Sequence, residues 1–451
     1  VANPLVISSY SSPNFSSTAK PILNVAASGN GFSFRQNAGT RRGGVRISGL
    51  KLDGGFRGGN VGFNANWNVQ NIVFENSTVT QMQQWGGCGS AFGFGYASHI
   101  TFRNLDLSYS TGMGIGTSGG CEYVVIENNT LNYGAMGSMT QASKIFDHPL
   151  YVTGRDYSGD TLPAYGTVIR NNLITNSGTG MTDAGGTNKC GTSIIVGHDR
   201  ISDWVIENNI IVQANGEQTG FCYGIDYAPG NGNYEYEQRL KIRGNLIVNP
   251  GGNAIRIGHC QDCEISLNKI VYEYNVEARG INAENNGGTG PVMANTRILS
   301  NSIYFFGNSD ISTAIHYEAP TGSGNAMVGN LIYFGAGSAS GRRCMLTAGA
   351  TALWAEWDYN FCFGFQEWAD VGGTGYATKA AFTSARSGHD TNGSSANPLL
   401  TAIPSSGNGY AMSLQSGSPA VNACASARCA RLAYAGRRAT AARDVGAEER
   451  P

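Results

Sequence analysis

Five polar residues of different chemistry stand at equivalent places in short apolar segments of the chain. Tyr151, Asp226, Arg256, Asn282 and His316 each occupy the middle of a triplet: LYV, IDY, IRI, INA and IHY. Side chains alternate between the two faces of a β-strand, so inward-pointing apolar neighbours leave these middle residues pointing outward. Strands stacked about 4.8 Å apart would line them up as a polar groove able to follow a linear polymer.

Further polar residues lie close to these triplets in the sequence. The residues to which we assign a catalytic role are His148, Tyr151, Asp226, Arg256 and His198. The residues to which we assign substrate binding are Lys144, Asp147, Arg155, Asp199, Tyr227, His259, Asn282, Glu284 and His316. Structural alternatives stay open, since His198 and His259 could cap strand ends and Arg256 could neutralise Asp226 in a salt bridge.

A repeated segment predicts the elements that position these side chains. The pattern apolar-x-x-Asn-x-apolar recurs at Asn129, Asn172, Asn209, Asn245, Asn268, Asn301 and Asn330. Three earlier segments, 47–52, 74–79 and 102–107, share its apolar frame, and the segment starts lie 23 to 43 residues apart. The shortest spacing leaves no room for a helical crossover between parallel strands, and β-branched residues bounded by Gly, Asn and Ser favour strands.

We therefore predict an all-β fold, a right-handed parallel β-helix solenoid of about ten or more coils. The repeated Asn side chains should stack and hydrogen-bond in a ladder. Residues 1–335 are predicted to form the β-helix, and residues 336–451 the last coils and an irregular C-terminal cap. The three longest coils begin at residues 126, 169 and 206, so their extra loops should gather in one zone suited to binding.

The end of the chain resembles the closing segment of secreted bacterial parallel β-helix proteins, the pectate-lyase-like group. The matching segments are SGSPAVNA, Ser416–Ala423, and RDVGAEE, Arg443–Glu449. Glu448 stands where those proteins have an aromatic residue, and Cys424 where they usually have Gly. The resemblance implies the architecture of the whole chain and names no catalytic motif.

Members of that group often cleave uronic-acid polymers by β-elimination, which is our first functional expectation for this chain. The reaction needs a base for the C5 proton, a cation for the adjacent carboxylate and an acid for the leaving oxygen. Arg256 could neutralise the carboxylate, while His148, Lys144 or Tyr151 could transfer the proton. The Asp-rich calcium cluster of some members is not obvious here, since Asp183, Asp199 and Asp226 are the only acids on successive coils near the groove, and Ca²⁺ stays open as a cofactor.

Two other functions compete with the lyase. A glycoside hydrolase would use carboxylates on both sides of the scissile bond, and Asp199 and Asp226, with Asp183, could supply them. The N-T-D, G-H-G and R-x-K motifs of polygalacturonase-like enzymes are absent from this sequence. The third alternative is a non-catalytic carbohydrate-binding or surface structural β-helix. In all three cases the expected partner is a linear polysaccharide, and the oligomeric state stays open.

Composition excludes several other classes. The chain has 451 residues, 64 of them Gly, and a net charge of −1, so no overall field attracts nucleic acid. No apolar run approaches the roughly 20 residues of a membrane span. Nucleotide-binding and nucleophile-elbow motifs are also absent. The opening VANPLVISSY resembles a strand within a coil, so we expect a further segment to precede it.

Ten cysteines fall into plausible pairs. The expected disulfides are Cys88–Cys121, Cys190–Cys222, Cys260–Cys263, Cys344–Cys362 and Cys424–Cys429. Disulfides form in oxidising compartments, which predicts a secreted, cell-surface or periplasmic protein. A redox site or a zinc site is the rival interpretation of the segment CQDC.

Overall fold

The computed structural model describes most of the chain in separate ranges. They are 5–8, 22–24, 30–34, 42–55, 61–65, 69–82, 84–89, 97–110, 112–118, 121–132, 148–154, 163–177, 181–182, 188–189, 192–197, 200–213, 223–228, 236–273, 278–284, 293–306, 312–318, 322–335, 341–348, 354–426, 429 and 445–446. The chain forms two compact units, Val1–Glu235 and Tyr236–Pro451.

Three sheets of short parallel strands build the first unit. Sheet 1 contains β1 (Leu5–Ser8), β4 (Arg42–Ser48), β7 (Val69–Glu75), β10 (Ala97–Arg103), β14 (Val125–Glu127), β18 (Val168–Arg170) and β24 (Val205–Glu207). Sheet 2 contains β2 (Ile22–Asn24), β5 (Lys51–Asp53), β8 (Thr78–Met82), β11 (Asp106–Ser110), β15 (Thr130–Asn132), β19 (Leu173–Thr175) and β25 (Ile210–Val212). Sheet 3 contains β3 (Asn30–Phe34), β6 (Val61–Ala65), β9 (Gln84–Gly89), β12 (Ile115–Ser118), β16 (Leu150–Thr153), β22 (Ile194–Gly197) and β26 (Ile225–Ala228).

The second unit has the same three-sheet organisation. Its sheet 1 contains β28 (Lys241–Arg243), β32 (Glu264–Ser266), β35 (Arg297–Leu299), β38 (Asn325–Val328) and β41 (Trp354–Asp358). Its sheet 2 contains β29 (Leu246–Val248), β33 (Lys269–Tyr272), β36 (Ser302–Phe305), β39 (Leu331–Phe334) and β42 (Phe361–Phe363). Its sheet 3 contains β30 (Asn253–Gly258), β34 (Ala278–Glu284), β37 (Ser312–Tyr317), β40 (Arg342–Thr347), β43 (Glu367–Val371) and the antiparallel β44 (Thr374–Tyr376).

Shorter elements lie at the corners and at the end of the chain. In the first unit these are β13 (Cys121–Glu122), β17 (Ala164–Tyr165), β20 (Met181–Thr182), β21 (Asn188–Lys189) and β23 (Arg200–Ser202). In the second unit they are β27 (Tyr236–Gln238), β31 (Cys260–Gln261), the helix α1 (Lys379–Ala385) and a 3₁₀ turn, Ser406–Asn408. The Thr378 hydroxyl caps α1 by accepting a hydrogen bond from the Ala381 amide at 3.1 Å. The predicted boundary at residue 335, between the β-helix and the last coils with the cap, stays a prediction. Strands β40 to β43 lie after it in the chain.

The strand register confirms the predicted fold class, an all-β parallel β-helix. Ile126 pairs with Ile169 and Ile169 with Ile206, so equivalent residues of successive repeats lie side by side. One repeat therefore makes one coil, and each coil adds one strand to each sheet. Among the described residues, no helix is long and apolar enough to span a membrane.

Stacked side chains fill the interior of each unit. In the first unit Phe63, Phe74 and Phe102 form a stack with ring centroids 4.5 and 5.3 Å apart. In the second unit Phe305 lies between Tyr272 and Phe334 at 4.9 and 4.8 Å. These rings are almost completely buried, so each coil covers the apolar face of the next.

The predicted Asn ladder is present in both units. In the second unit the Asn301 side-chain oxygen accepts hydrogen bonds from the backbone N–H and the side-chain amide of Asn268, both at 3.0 Å. The Asn301 amide donates to the Ile265 carbonyl and to the Asn330 oxygen, again at 3.0 Å. Asn129, Asn172 and Asn209 repeat this arrangement in the first unit. The ladder satisfies backbone groups at a buried corner where the strand pairing is interrupted.

Four of the five predicted disulfides are formed. They are Cys88–Cys121, Cys260–Cys263, Cys344–Cys362 and Cys424–Cys429. Cys190 and Cys222 lie outside the described residues. The bond between Cys260 and Cys263 uses both sulfur atoms of CQDC, so the zinc interpretation loses its two thiolates. The disulfides are consistent with an extracellular protein.

Candidate functional site

The outer column of sheet 3 in the first unit contains two of the predicted site residues. Gly116 pairs with Tyr151, Tyr151 with Ile195, and Ile195 with Asp226. Two strand spacings of about 4.8 Å therefore separate Tyr151 from Asp226. The ring of Tyr151 is half-buried and stacks almost parallel on the His148 ring, with centroids 5.8 Å apart.

Burial limits what these first-unit residues offer a ligand. His148 is 3% exposed and Asp226 is 2% exposed, which leaves Tyr151 as the most accessible of the three. The assignment of Tyr227 to substrate binding is not supported by its position. Tyr227 is in register with Val196 and is 1% exposed, so it points into the core, as alternation from Asp226 requires.

Sheet 3 of the second unit holds a denser group, which we call the polar cluster: Arg256, Arg279, Asn282, Glu284 and His316. Arg256 pairs with Asn282 and Asn282 with His316, so three of the predicted site residues lie side by side on adjacent strands. All three occupy the middle position of their triplets, between residues that are buried in the core. The outward column of polar residues predicted from the triplets is therefore present in this unit.

Glu284 connects the two arginines of the polar cluster. One of its carboxylate oxygens lies 3.6 Å from Arg256 Nη1, and the other lies 3.3 Å from Arg279 Nη1. The Asn282 amide also donates a hydrogen bond to Glu284. Two guanidinium groups thus share one carboxylate, so this trio of charged groups carries one net positive charge.

Two buried polar atoms of the polar cluster have no hydrogen-bond partner among the described residues: Asn282 Oδ1 and His316 Nδ1. Asn282 is fully buried, and His316 is 8% exposed. Such atoms are costly to leave unpaired, and in native proteins they usually bind water or a ligand.

The imidazole of His316 is held in its neutral form. Burial, followed by the positive charges of Arg279 and Arg343, lowers the pKa of His316 to about 4. At neutral pH this side chain can accept a proton or a hydrogen bond, and it adds no charge to the cluster.

Arg279 was missed by the sequence reasoning, and β34 shows why. A Cβ on Gly280 would meet the buried side chain of Ile303, so Gly280 faces the core just as Ile281 does. Two successive inward positions break the alternation and turn Arg279 to the outside, where 41% of its side chain is exposed. No rule of strict alternation would have found this residue.

A second charged group follows the polar cluster along sheet 3. Arg343 pairs with Glu367 at 2.5 Å and lies 3.7 Å from Asp370. Asp370 follows His316 in the same outer column, with Leu346 between them. The polar face therefore continues over several coils of the second unit.

The remaining predicted residues are placed less favourably or lie outside the described ranges. His259 is 2% exposed in the corner between β30 and β31, where its backbone is left-handed with φ of 47°. The residues outside the described ranges are Lys144, Asp147, Arg155, Asp183, His198 and Asp199.

Known proteins resemble this chain at the level of solved structures. No protein-family model and no curated protein sequence matches the chain. Among solved structures, the Streptococcus pneumoniae surface protein and adhesin PfbA is 12% identical, with 72% of this chain and 87% of that chain covered and a TM-score of 0.47. A mutant of the tailspike protein of E. coli bacteriophage HK620, in complex with a pentasaccharide, is 13% identical, with 82% of this chain and 70% of that chain covered and a TM-score of 0.46. The chain is similar to these β-helix proteins in fold, and no family is identified.

Proposed function

We propose that this protein binds an acidic extracellular polysaccharide along the outer face of sheet 3 in the second unit. The observation that carries the proposal is the polar cluster itself. Two arginines share the single carboxylate of Glu284, beside the unpaired atoms Asn282 Oδ1 and His316 Nδ1. Arginine forks suit the carboxylates of an acidic polymer, and the Arg279 side chain is 41% exposed.

The regular spacing of the strands supports a polymer rather than a small ligand. Asn282, His316 and Asp370 follow one another along the outer column, and Arg279, Arg343 and Glu367 form a parallel column beside them. Leu346 interrupts the first column, and the polar groups on strands about 4.8 Å apart can still contact several consecutive sugars. The disulfides suit a chain that meets such polymers outside the cytoplasm.

Affinity electrophoresis in gels containing acidic or neutral polysaccharides tests this function. We expect acidic polymers to retard the folded protein and neutral polymers of the same size to retard it less. Because the attraction is electrostatic and the site is near the surface, added salt should weaken retention. Folded protein that migrates unchanged in every gel would contradict the proposed function.

Uronide cleavage by β-elimination is the second candidate function, and the neutral imidazole of His316 is the observation that favours it. In this scheme the neutral imidazole of His316 takes the C5 proton, a C4–C5 double bond forms, the C4–O bond breaks and the leaving oxygen takes a proton from solvent. Arg279 and Arg256 would stabilise the negative charge at the uronate carboxylate. A bound carboxylate would also raise the pKa of His316 towards the working pH.

We expect the variant His316→Gln to lower the cleavage rate roughly 10²- to 10⁴-fold while binding changes little, because a general base acts only in the transition state. The ultraviolet absorbance of the unsaturated uronide measures the rate. For the native protein, kcat/KM should fall as the pH is lowered through about 4, where His316 takes up a proton. The matched control is Tyr151→Phe in the first unit.

The two variants separate the candidate bases. Loss of cleavage in Tyr151→Phe alone would move the reaction to the stacked His148–Tyr151 pair. Binding to acidic polymers without any rise in absorbance would leave the protein a carbohydrate-binding β-helix.

A further inference from the structure

The Asn ladder of the second unit ends on an acid. It runs through Asn268, Asn301, Asn330 and Asn360, and the next position is filled by Asp390. Asp390 Oδ1 accepts hydrogen bonds from the Asn360 backbone N–H at 3.1 Å and from the Asn360 side-chain amide at 3.4 Å. One carboxyl oxygen therefore does what each ladder Asn oxygen does.

The second carboxyl oxygen stands where each ladder residue has its amide. In the rest of the ladder, each Asn side-chain amide donates a hydrogen bond to a backbone carbonyl of the previous coil. Asn330 donates to Ile298, which lies three residues before Asn301, and Asn360 donates to Met327, which lies three residues before Asn330. The equivalent carbonyl for position 390 belongs to Trp357, which accepts the Asp390 backbone N–H at 2.5 Å. Asp390 Oδ2 has no hydrogen-bond partner among the described residues, and the side chain is fully buried.

Only the protonated carboxyl can act as a donor at this place. An ionised carboxylate accepts hydrogen bonds and cannot donate, so it would leave a buried charge without a donor for Oδ2. Asp358 on β41 adds a second negative charge nearby, and Lys379 at the start of α1 adds an opposing positive one. Burial is the largest influence and raises the pKa of Asp390 to about 7.

Asp390 lies beside the contact between β41 and α1. Trp357 packs on Phe382 of α1 with ring centroids 4.8 Å apart, and His389 meets the edge of the same indole at 6.1 Å. The last rung of the ladder, β41 and α1 are thus joined through one buried carboxyl and one tryptophan.

We propose that a protonated Asp390 closes the ladder and that loss of this proton loosens the docking of α1, which makes the C-terminal cap sensitive to pH. The carboxyl has an ordinary pKa near 3.8 when unfolded and a raised one when folded, so the folded chain holds one more proton between the two values. Stability from this group is fully present below pH 4 and declines as the pH rises towards 7. The proposal does not depend on the polysaccharide site.

Hydrogen exchange of α1 between pH 5 and 8 tests the proposal, with protection normalised to the intrinsic exchange rate. In the native protein the protection of α1 should fall by up to about tenfold per pH unit from pH 5 to about 7 and level off above that, because opening releases one proton only between the two pKa values. In Asp390→Asn, which supplies an amide at the same place, protection should stay high and independent of pH. The control Asp106→Asn alters an exposed acid on β11 and should behave like the native protein.

Two results would overturn the proposal. The first is native α1 protection without pH dependence, which can be measured even if a variant fails to fold. The second is Asp390→Asn with the same pH dependence as the native protein.

Discussion

Replacing Asn301 with Ala is expected to lower the free energy of unfolding by about 3–5 kcal/mol. Asn301 is fully buried in the ladder. The substitution removes the acceptor of the Asn268 backbone N–H and amide, and the donor to the Ile265 carbonyl. Each buried group left unpaired costs about 1–3 kcal/mol, and the vacated volume adds a cavity term.

Chemical denaturation of the variant and of two controls measures this effect. Asn24→Ala removes an exposed Asn of β2 and should change stability by less than about 0.5 kcal/mol. Asn301→Asp keeps the acceptor oxygen and replaces the amide with a carboxyl group, whose buried charge adds its own cost unless the group is protonated. A loss of under about 1 kcal/mol in Asn301→Ala would mean that the ladder is not a major source of stability.

The second large effect is expected at the polar cluster. Arg279→Gln should weaken binding to an acidic oligosaccharide roughly 10- to 100-fold, because a charge-assisted hydrogen bond contributes about 1.5–3 kcal/mol. The fold should hardly change, since the Arg279 side chain is 41% exposed and Glu284 keeps Arg256 as a partner. Titration calorimetry at fixed salt measures the change in dissociation constant.

The matched control lies on another sheet. Arg170 also pairs with a glutamate, Glu127 at 2.7 Å, and 44% of its side chain is exposed. Arg170→Gln therefore removes the same charge at similar exposure from a face without the polar cluster. Equal weakening by both variants would indicate a general charge effect and would contradict a site at Arg279.

The spacing of the repeated Asn segments was enough to predict the fold. The last two residues of the ladder, Asn360 and Asp390, lie in segments that the repeat pattern does not identify. Asn360 lies in WDYNFC, where Trp357 and Cys362 replace the aliphatic residues of earlier repeats. Asp390 replaces Asn altogether, in a stretch without the repeat frame. Packing identifies both rungs, because the hydrogen bonds of the ladder are conserved in geometry although the residue types are not.

The sequence predicted the positions of site residues where side chains alternate strictly between the two faces of a strand. Arg256, Asn282 and His316 lie in adjacent register as expected from their triplets. Strict alternation from Asp226 places Tyr227 in the core. The break in alternation at Gly280, which exposes Arg279, depends on the size of the space beside Ile303. Burial of Asp226 depends on tertiary packing, which a strand pattern does not encode.

The most direct test of the central claim is calorimetric titration of the native protein with a polyuronate oligosaccharide and with the same oligosaccharide after reduction of its carboxyl groups. If the polar cluster binds an acidic polymer, the carboxylated ligand should bind at least about tenfold more tightly, as one charge-assisted contact predicts. Equal affinity for the two ligands, or no heat of binding with either, would contradict the account.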